Sequence, residues 1–449
     1  MKTFLVFPFI LIVTSLFSVE SLLPIPPVIS GAEIKLNIQN GELILPTGTT
    51  KTMGYNGNYL GPTIVVSRND FVKFNIHNQL KEDTTVHWHG LHVPAEYDGG
   101  PRQVIKSGMD WKPAFKIAQP AATLWYHPHL MGKTAEHAYN GLAGMFYIYD
   151  DYSKSLNIPQ DYGVNDLPII LQDRQINRDG SFRYQPNRHE VMSGYLGNTL
   201  LVNGAVEPLL KIDAGTYRLR ILNGSNSSIM RVRFSNAKKF TVIASDGGFL
   251  PKSISLEELV LSPGERFEIL VDFAPGEKAT LVTDSYRGAS HTSLNIVTSS
   301  KSGTFYPHPK EFEFEQMQFD KSSNTKRTFV LETRMMGQFT INGNTMSLGR
   351  IDQTVPLNTS EIWRIENKGN GMMQVPHSFH VHNVQFSVVS VNGKKPDGLY
   401  SGPKDTILVM PGDVYEISLG FKNYKGIYMY HCHFLEHEDE GMMGQFAVE

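Results

Sequence analysis

The chain has 449 residues, which at about 150 residues per domain suggests three domains. A net charge of −3 offers no basic field for a nucleic-acid partner. With 41% hydrophobic residues the chain is not disordered, and its 25 Pro and 39 Gly exclude collagen. The one cysteine, Cys432, excludes an intramolecular disulfide and is either a buried small hydrophobe or a functional thiolate.

At the N-terminus, Lys2 precedes an apolar run from Phe4 to Phe17. The run is too short for a membrane span but suits an export signal. Val19-Glu20-Ser21 is the best small-residue cleavage pattern, so 1–21 is read as a signal peptide. The mature chain is then exported, periplasmic or extracellular, and no later segment reads as a transmembrane helix.

Short strands with period-2 alternation follow, broken by Gly, Pro, Asn and Asp turns, so the class is all-β, built of sandwiches. Three strands repeat one pattern: Phe71-Val-Lys-Phe-Asn-Ile-His-Asn, Tyr217-Arg-Leu-Arg-Ile-Leu-Asn and Glu361-Ile-Trp-Arg-Ile-Glu-Asn. Each places an apolar residue and an Ile ahead of a closing Asn, and Asn78, Asn223 and Asn367 stand 145 and 144 positions apart. Near-equal spacing points to one unit in three copies, at 30–150, 166–298 and 327–449. The joints fall near Asp150 to Asp166 and Ser299 to Arg327, the second carrying Ser299-Ser-Lys-Ser-Gly and Lys321-Ser-Ser-Asn.

A second match joins the first and third units. Tyr126-His-Pro-His leads to Gly141-Leu-Ala-Gly-Met-Phe, and Tyr430-His-Cys-His leads to Gly441-Met-Met-Gly-Gln-Phe. Random placement of 16 histidines would give fewer than one His-x-His triplet, and the sequence has four: His87/His89, His127/His129, His380/His382 and His431/His433. Residues i and i+2 of a strand share a face, so each triplet offers two imidazoles on one side. Eight converging imidazoles call for metal, of the Cu, Zn, Fe or Ni type. Two pairs from each of these units place the cluster between units one and three.

Cys432 faces away from its flanking histidines, which puts a thiolate on the other side of the same strand. His437 and Met442 follow it, and His377 precedes the His380/His382 pair. One Cys, two His and a weak Met are the ligands of a blue-copper electron-transfer site. Unit one reads as this site emptied: Pro128 replaces Cys432, Leu142 replaces Met442, and His137 remains in a structural role. Unit two has no His-x-His and reads as a spacer. His77, His92, His189, His291 and His308 have no spaced partner and read as surface or locally bonded residues.

Together these residues resemble the multicopper oxidases: laccases, copper efflux oxidases and bilirubin oxidases. His87-Trp-His89-Gly, His127-Pro-His129, His377-Ser-Phe-His380-Val-His382 and the run from His431 through Met442 match all four copper motifs. The resemblance implies three consecutive cupredoxin-like Greek-key β-sandwich domains. It implies four copper ions: type 1 on His377, Cys432, His437 and Met442, type 2 on His87 and His380, and a type 3 pair on His89, His127, His129, His382, His431 and His433. The implied reaction is one-electron oxidation of a donor at type 1 copper, coupled to reduction of O2 to water at a trinuclear cluster. Asp98 and Glu438 resemble the family's proton-relaying acids.

The implied donors are phenols, aryl amines or Cu(I), with Fe(II) or Mn(II) open. Thioethers suit Cu(I); Met372 and Met373 lie just before His377, and Met335 and Met336 open the third unit. The long Met-rich insert of copper efflux oxidases is missing, and Met373 and Val375 stand where those enzymes place an Asp and a Met. A less covered type 1 copper is therefore expected, and a broad laccase-like oxidase, with a dedicated cuprous oxidase as the alternative. From other classes, the complete ligand set disfavours a copper-free cell-division scaffold of the same fold, and the path from Cys432 to its flanking histidines disfavours a copper buffer. A monomer is expected, because both halves of the cluster lie in one chain.

Overall fold

The computed structural model describes residues 21–313, 326–334, 337–369 and 374–449. The apolar N-terminal run, the Lys321 stretch, Met335, Met336, Met372 and Met373 lie outside the described residues.

Alternation works as the sequence demands in Phe71–Asn78, where Val72, Phe74, Ile76 and Asn78 are buried between more exposed neighbours. This strand belongs to a sheet with Gly48–Tyr55, Glu33–Leu45, Asp110–Trp111 and Ala114–Lys116. A second sheet holds Val28–Ser30, Thr63–Ser67, Gly144–Tyr149, Ala122–His127 and His87–His89, in that order. Side chains of both sheets, among them Leu36, Phe74, Trp88, Leu124 and Phe146, make one core. The third unit repeats the plan. Gln338–Ile341, Lys326–Arg334, Thr359–Asn367, Val414–Phe421 and Phe386–Val391 form one sheet. Gln353–Val355, Met443–Val448, Gly426–Cys432, His377–Val381 and Thr406–Val409 form the other, over a core with Phe329, Trp363, Phe379 and Phe446.

Unit two departs from this plan. Its strands join in one hydrogen-bonded array around the long strand Leu209–Asn223. One half of that strand pairs with Ser290–Ser302; past a register shift between Ile212 and Ala214, the other half pairs with Asp166–Arg174 and Arg266–Phe273. From Ala214 onward both faces are buried. One face fills the unit's own core, and Leu222 and Ile170 pack on Trp125, Met145 and Tyr147 of unit one. Double burial explains why alternation is weaker here than in Phe71–Asn78.

The repeated Asn has a physical cause. Asn78, Asn223 and Asn367 each accept a bond from the backbone N–H two residues on, at 3.0, 3.1 and 3.1 Å. Each also donates its amide to two carbonyls: Glu82 and Ile105, Ser228 and Leu261, Val375 and Val409. All three are buried, where an amide must have its bonds made. The same corner is built three times with one residue.

The Gly-x-x-Gly motif is equally local in origin. Gly144 pairs with Tyr126 and Gly444 with Tyr430. A Cβ on either glycine would stand 2.3 Å from the opposing tyrosine, so the ring requires the bare backbone. Units one and three meet through the short helices Thr134–Tyr139 and Leu435–Asp439, where Ala135 and Ala138 touch Leu435. Asp439 accepts the free N–H groups of Thr134 and Ala135 at 3.0 and 2.9 Å.

Candidate metal centres

His87 stands opposite His127 across one strand pair, and His380 stands opposite His431 across the equivalent pair. These strand ends face each other between units one and three, so all eight paired histidines meet, each at most 1% exposed. The two members of every triplet go to different groups. His129, His382 and His431 bring their Nε2 atoms into a triangle with 3.1 Å sides. His89 Nδ1 lies 3.3 Å from His127 Nε2, and the His433 ring sits 4.9 and 5.2 Å from those two rings. His87 and His380, with ring centroids 6.0 Å apart, make the third group.

The outer nitrogens are anchored. His87 Nδ1 donates to the Asp98 carbonyl at 2.8 Å, His380 Nδ1 to the Asp405 carbonyl at 2.8 Å, and His127 Nδ1 to the Pro128 carbonyl at 2.8 Å. His382 Nδ1 donates to Asp98 Oδ2 at 2.7 Å. His431 Nδ1 donates to the Cys432 carbonyl at 3.0 Å, and Glu438 lies beside it at 3.1 Å and beside His129 Nδ1 at 3.2 Å. The three Nε2 atoms of the triangle face one another. Among the described residues, His87 Nε2, His380 Nε2, His129 Nδ1 and both nitrogens of His433 have no hydrogen-bond partner. Buried polar atoms left this way are costly unless a cation fills the space. A triangle of that size suits an ion about 2.0 Å from each nitrogen. The residues therefore fit a bound metal cluster.

Burial supplies the right protonation. It holds His87, His89, His127, His380, His382 and His433 well below the ordinary imidazole range, in the neutral form that binds metal. Burial also pushes the Asp98 carboxyl up to about 8. For Glu438 burial acts upward too, but the His129 and His431 imidazoles outweigh it and hold the carboxyl low.

The second centre lies across the strand, inside the third core. Cys432 Sγ is 3.5 Å from His377 Nδ1 and 3.6 Å from His437 Nδ1. Met442 is fully buried in the same core, and its carbonyl accepts the Cys432 N–H at 3.0 Å. Without an ion, burial drives the thiol up to about 12, so a thiolate here needs a cation beside it. Softness and number of donors fit copper.

The side chains of the Cys432 centre are buried, with His377, Cys432, His437 and Met442 each at most 1% exposed. Phe339 stacks on His437 at 4.1 Å, and the helix Arg188–Ser193 of unit two lies on this core through Val191 and Met192. One expectation is corrected: unit two is not a spacer. Besides that helix, it sets Gly264 against the His433 ring and accepts the Ser378 hydroxyl on Pro263. Sequence reading also missed Asp405, whose Oδ1 lies 3.0 Å from His89 Nε2. A single acid with no spaced partner gives no signal, since its neighbours come from distant segments.

The remaining histidines stay outside both centres. His77 bonds Asp110, His308 bonds Thr241, and His92 reaches the Asn383 carbonyl and Asn423. His137 is buried, with Nδ1 3.0 Å from Thr84 Oγ1.

Three stretches, 37–153, 145–300 and 308–449, each match the sequence family described as multicopper oxidase. The multicopper oxidase mco of Staphylococcus haemolyticus is 44% identical over 401 residues, covering 89% of this chain and 84% of its own. The laccase-like multicopper oxidase CueO of Ochrobactrum sp., which has oxidase activity towards lignin model compounds and lignosulfonate, superposes with a TM-score of 0.89. It is 37% identical, and the match covers 95% of this chain and 100% of that one. The cell division protein FtsP of Xenorhabdus nematophila is 34% identical over 447 residues, covering 95% of this chain and 92% of its own.

Proposed function

The chain belongs to the multicopper oxidase family, and from that premise we propose that it oxidises phenols, aryl amines or cuprous ion one electron at a time and reduces O2 to water. When bound, copper supplies both redox steps: donor oxidation at the Cys432 centre and four-electron reduction of O2 at the eight-histidine cluster. The observation that carries this reading is the pair of donor sets joined by one strand, where His431 belongs to a triangle of imidazole nitrogens and the next residue, Cys432, to a group with His377 and His437.

In this reading four copper ions are held. His377, Cys432 and His437, with Met442 as the weak fourth, hold type 1. His87 and His380 hold type 2. His89, His127 and His433 hold one type 3 ion, and His129, His382 and His431 hold the other. Cys432 is joined through its own backbone to His431 and His433, one on each type 3 ion. Asp98, on His382, and Glu438, between His129 and His431, are the acids placed to hand over the protons that O2 reduction consumes.

Lys2 and the run to Phe17 support export, so the oxidase works in the periplasm or outside the cell. Among the described residues no helix is long and apolar enough to cross a membrane. Likeness to FtsP favours a second reading, a copper-free scaffold, against which the full donor set stands. The deciding experiment is O2 uptake by copper-loaded protein with a phenol and with Cu(I), each with and without added Cu(II). We expect an intense blue absorption band and uptake with both donors. Preference for Cu(I) would move the assignment to cuprous oxidase, and a colourless, inert protein would move it to the scaffold.

A further inference from the structure

Two aspartates grip four cluster histidines in the same manner. Asp98 takes His87 on its main-chain carbonyl and His382 on its carboxylate. Asp405 takes His380 on its main-chain carbonyl and His89 on its carboxylate. Each therefore holds a histidine of its own unit through the backbone and one of the opposite unit through the side chain.

Their carboxylates are treated differently. Among the described residues Asp98 Oδ1 has no hydrogen-bond partner. Asp405 accepts Arg266 through both oxygens at 2.7 Å each, Gln385 Nε2 at 3.0 Å and Thr406 Oγ1 at 2.9 Å. Arg266 opens the strand Arg266–Phe273 of unit two and is fully buried. Its other N–H groups go to the carbonyls of Thr123 at 3.0 Å, Gly264 at 3.0 Å and Asp246 at 2.9 Å. All five guanidinium donors are thus used, on acceptors from all three units. The planar fork fixes the carboxylate in one orientation, which a lysine cannot do.

His89 is the histidine this arrangement explains. It turns Nδ1 toward His127, whereas the triangle is made of Nε2 atoms. A carboxylate at Nε2 demands the proton there and leaves the Nδ1 lone pair free. Such outer partners set the tautomer and ring angle of a ligating histidine.

We propose that Arg266 is a positioning residue of the trinuclear site, acting from unit two through Asp405 to fix the tautomer and orientation of His89. The proposal rests on the reading of His89 as a copper ligand. The full-length variants Arg266→Gln, Arg266→Lys and Asp405→Asn test it. In copper-free protein with 15N-labelled histidine, wild type shows His89 protonated on Nε2, and the Gln and Asn variants lose that single tautomer. In copper-loaded protein these two variants keep the blue band at wild-type intensity per chain. They lose cluster copper to a chelator about tenfold to a hundredfold more readily, with a weakened near-ultraviolet absorption of the coupled pair. Lys, which keeps the charge without the fork, falls between wild type and Gln. Wild-type copper retention and an unchanged His89 tautomer in Arg266→Gln would overturn the proposal, as would equal loss of blue and cluster copper. If Arg266→Gln does not fold, the isosteric Asp405→Asn and the Lys variant decide on the same measurements. Should wild type show no blue band, the oxidase reading fails, while the His89 tautomer still judges the role of Arg266.

Discussion

Units one and three place four side chains at equivalent positions and make different use of them. His87 and His380 are equivalent by their strand partners, so Thr84 stands where His377 does, three residues earlier. Pro128 matches Cys432, His137 matches His437, and Leu142 matches Met442. In unit one, His137 Nδ1 finds Thr84 Oγ1 at 3.0 Å, and Pro128 and Leu142 bring no donor. In unit three, Cys432 Sγ lies 3.5 and 3.6 Å from two imidazole nitrogens, a soft donor set that suits an ion. The shared scaffold sets where the four side chains meet. Their chemistry decides whether the meeting closes on a hydrogen bond or requires an ion.

Cys432→Ser breaks this comparison most completely. It should abolish the blue band and donor oxidation outright while the folded circular dichroism spectrum is kept; a variant that stays blue would remove Cys432 from the centre. The cluster is served by one acid from each unit, Asp98 from the first and Glu438 from the third. Asp98→Asn and Glu438→Gln should each keep the blue colour and slow O2 turnover by about a hundredfold or more. Wild-type turnover in both would end the relay assignment.

Smaller effects test the shared frame itself. Gly144→Ala and Gly444→Ala each force a Cβ to 2.3 Å from a buried tyrosine. Both should cost about 3 kcal/mol in chemical denaturation, alike in the two units. A tolerant Gly144 beside an intolerant Gly444 would show that the motif serves metal binding rather than packing. The smallest effect is expected for His137→Leu, which strands the Thr84 hydroxyl for about 1 kcal/mol. Copper content and colour should stay at wild-type levels, and a loss of colour would make His137 more than a structural residue.

Much of this was legible because its causes are local. Alternation in Phe71–Asn78 and the bond each of Asn78, Asn223 and Asn367 accepts from two residues on need only neighbouring residues, and the bare backbone opposite Tyr126 and Tyr430 needs only one strand pair. The same holds for the opposite faces of His431 and Cys432, which strand geometry enforces. The strand Leu209–Asn223 was legible by the same pattern over Tyr217–Asn223, but the burial of both its faces was not.

The sequence by itself determined three copies of one all-β unit, two of them carrying imidazole pairs, and one thiolate behind them. Only the tertiary structure decided how the pairs are shared out, since each His-x-His splits between groups completed by a different segment. It also decided that unit two takes part, through Gly264 beside His433 and Arg266 on Asp405. The physical reason is distance along the chain. A buried charge is held by partners from all three units, and no period or motif in one segment records who those partners are.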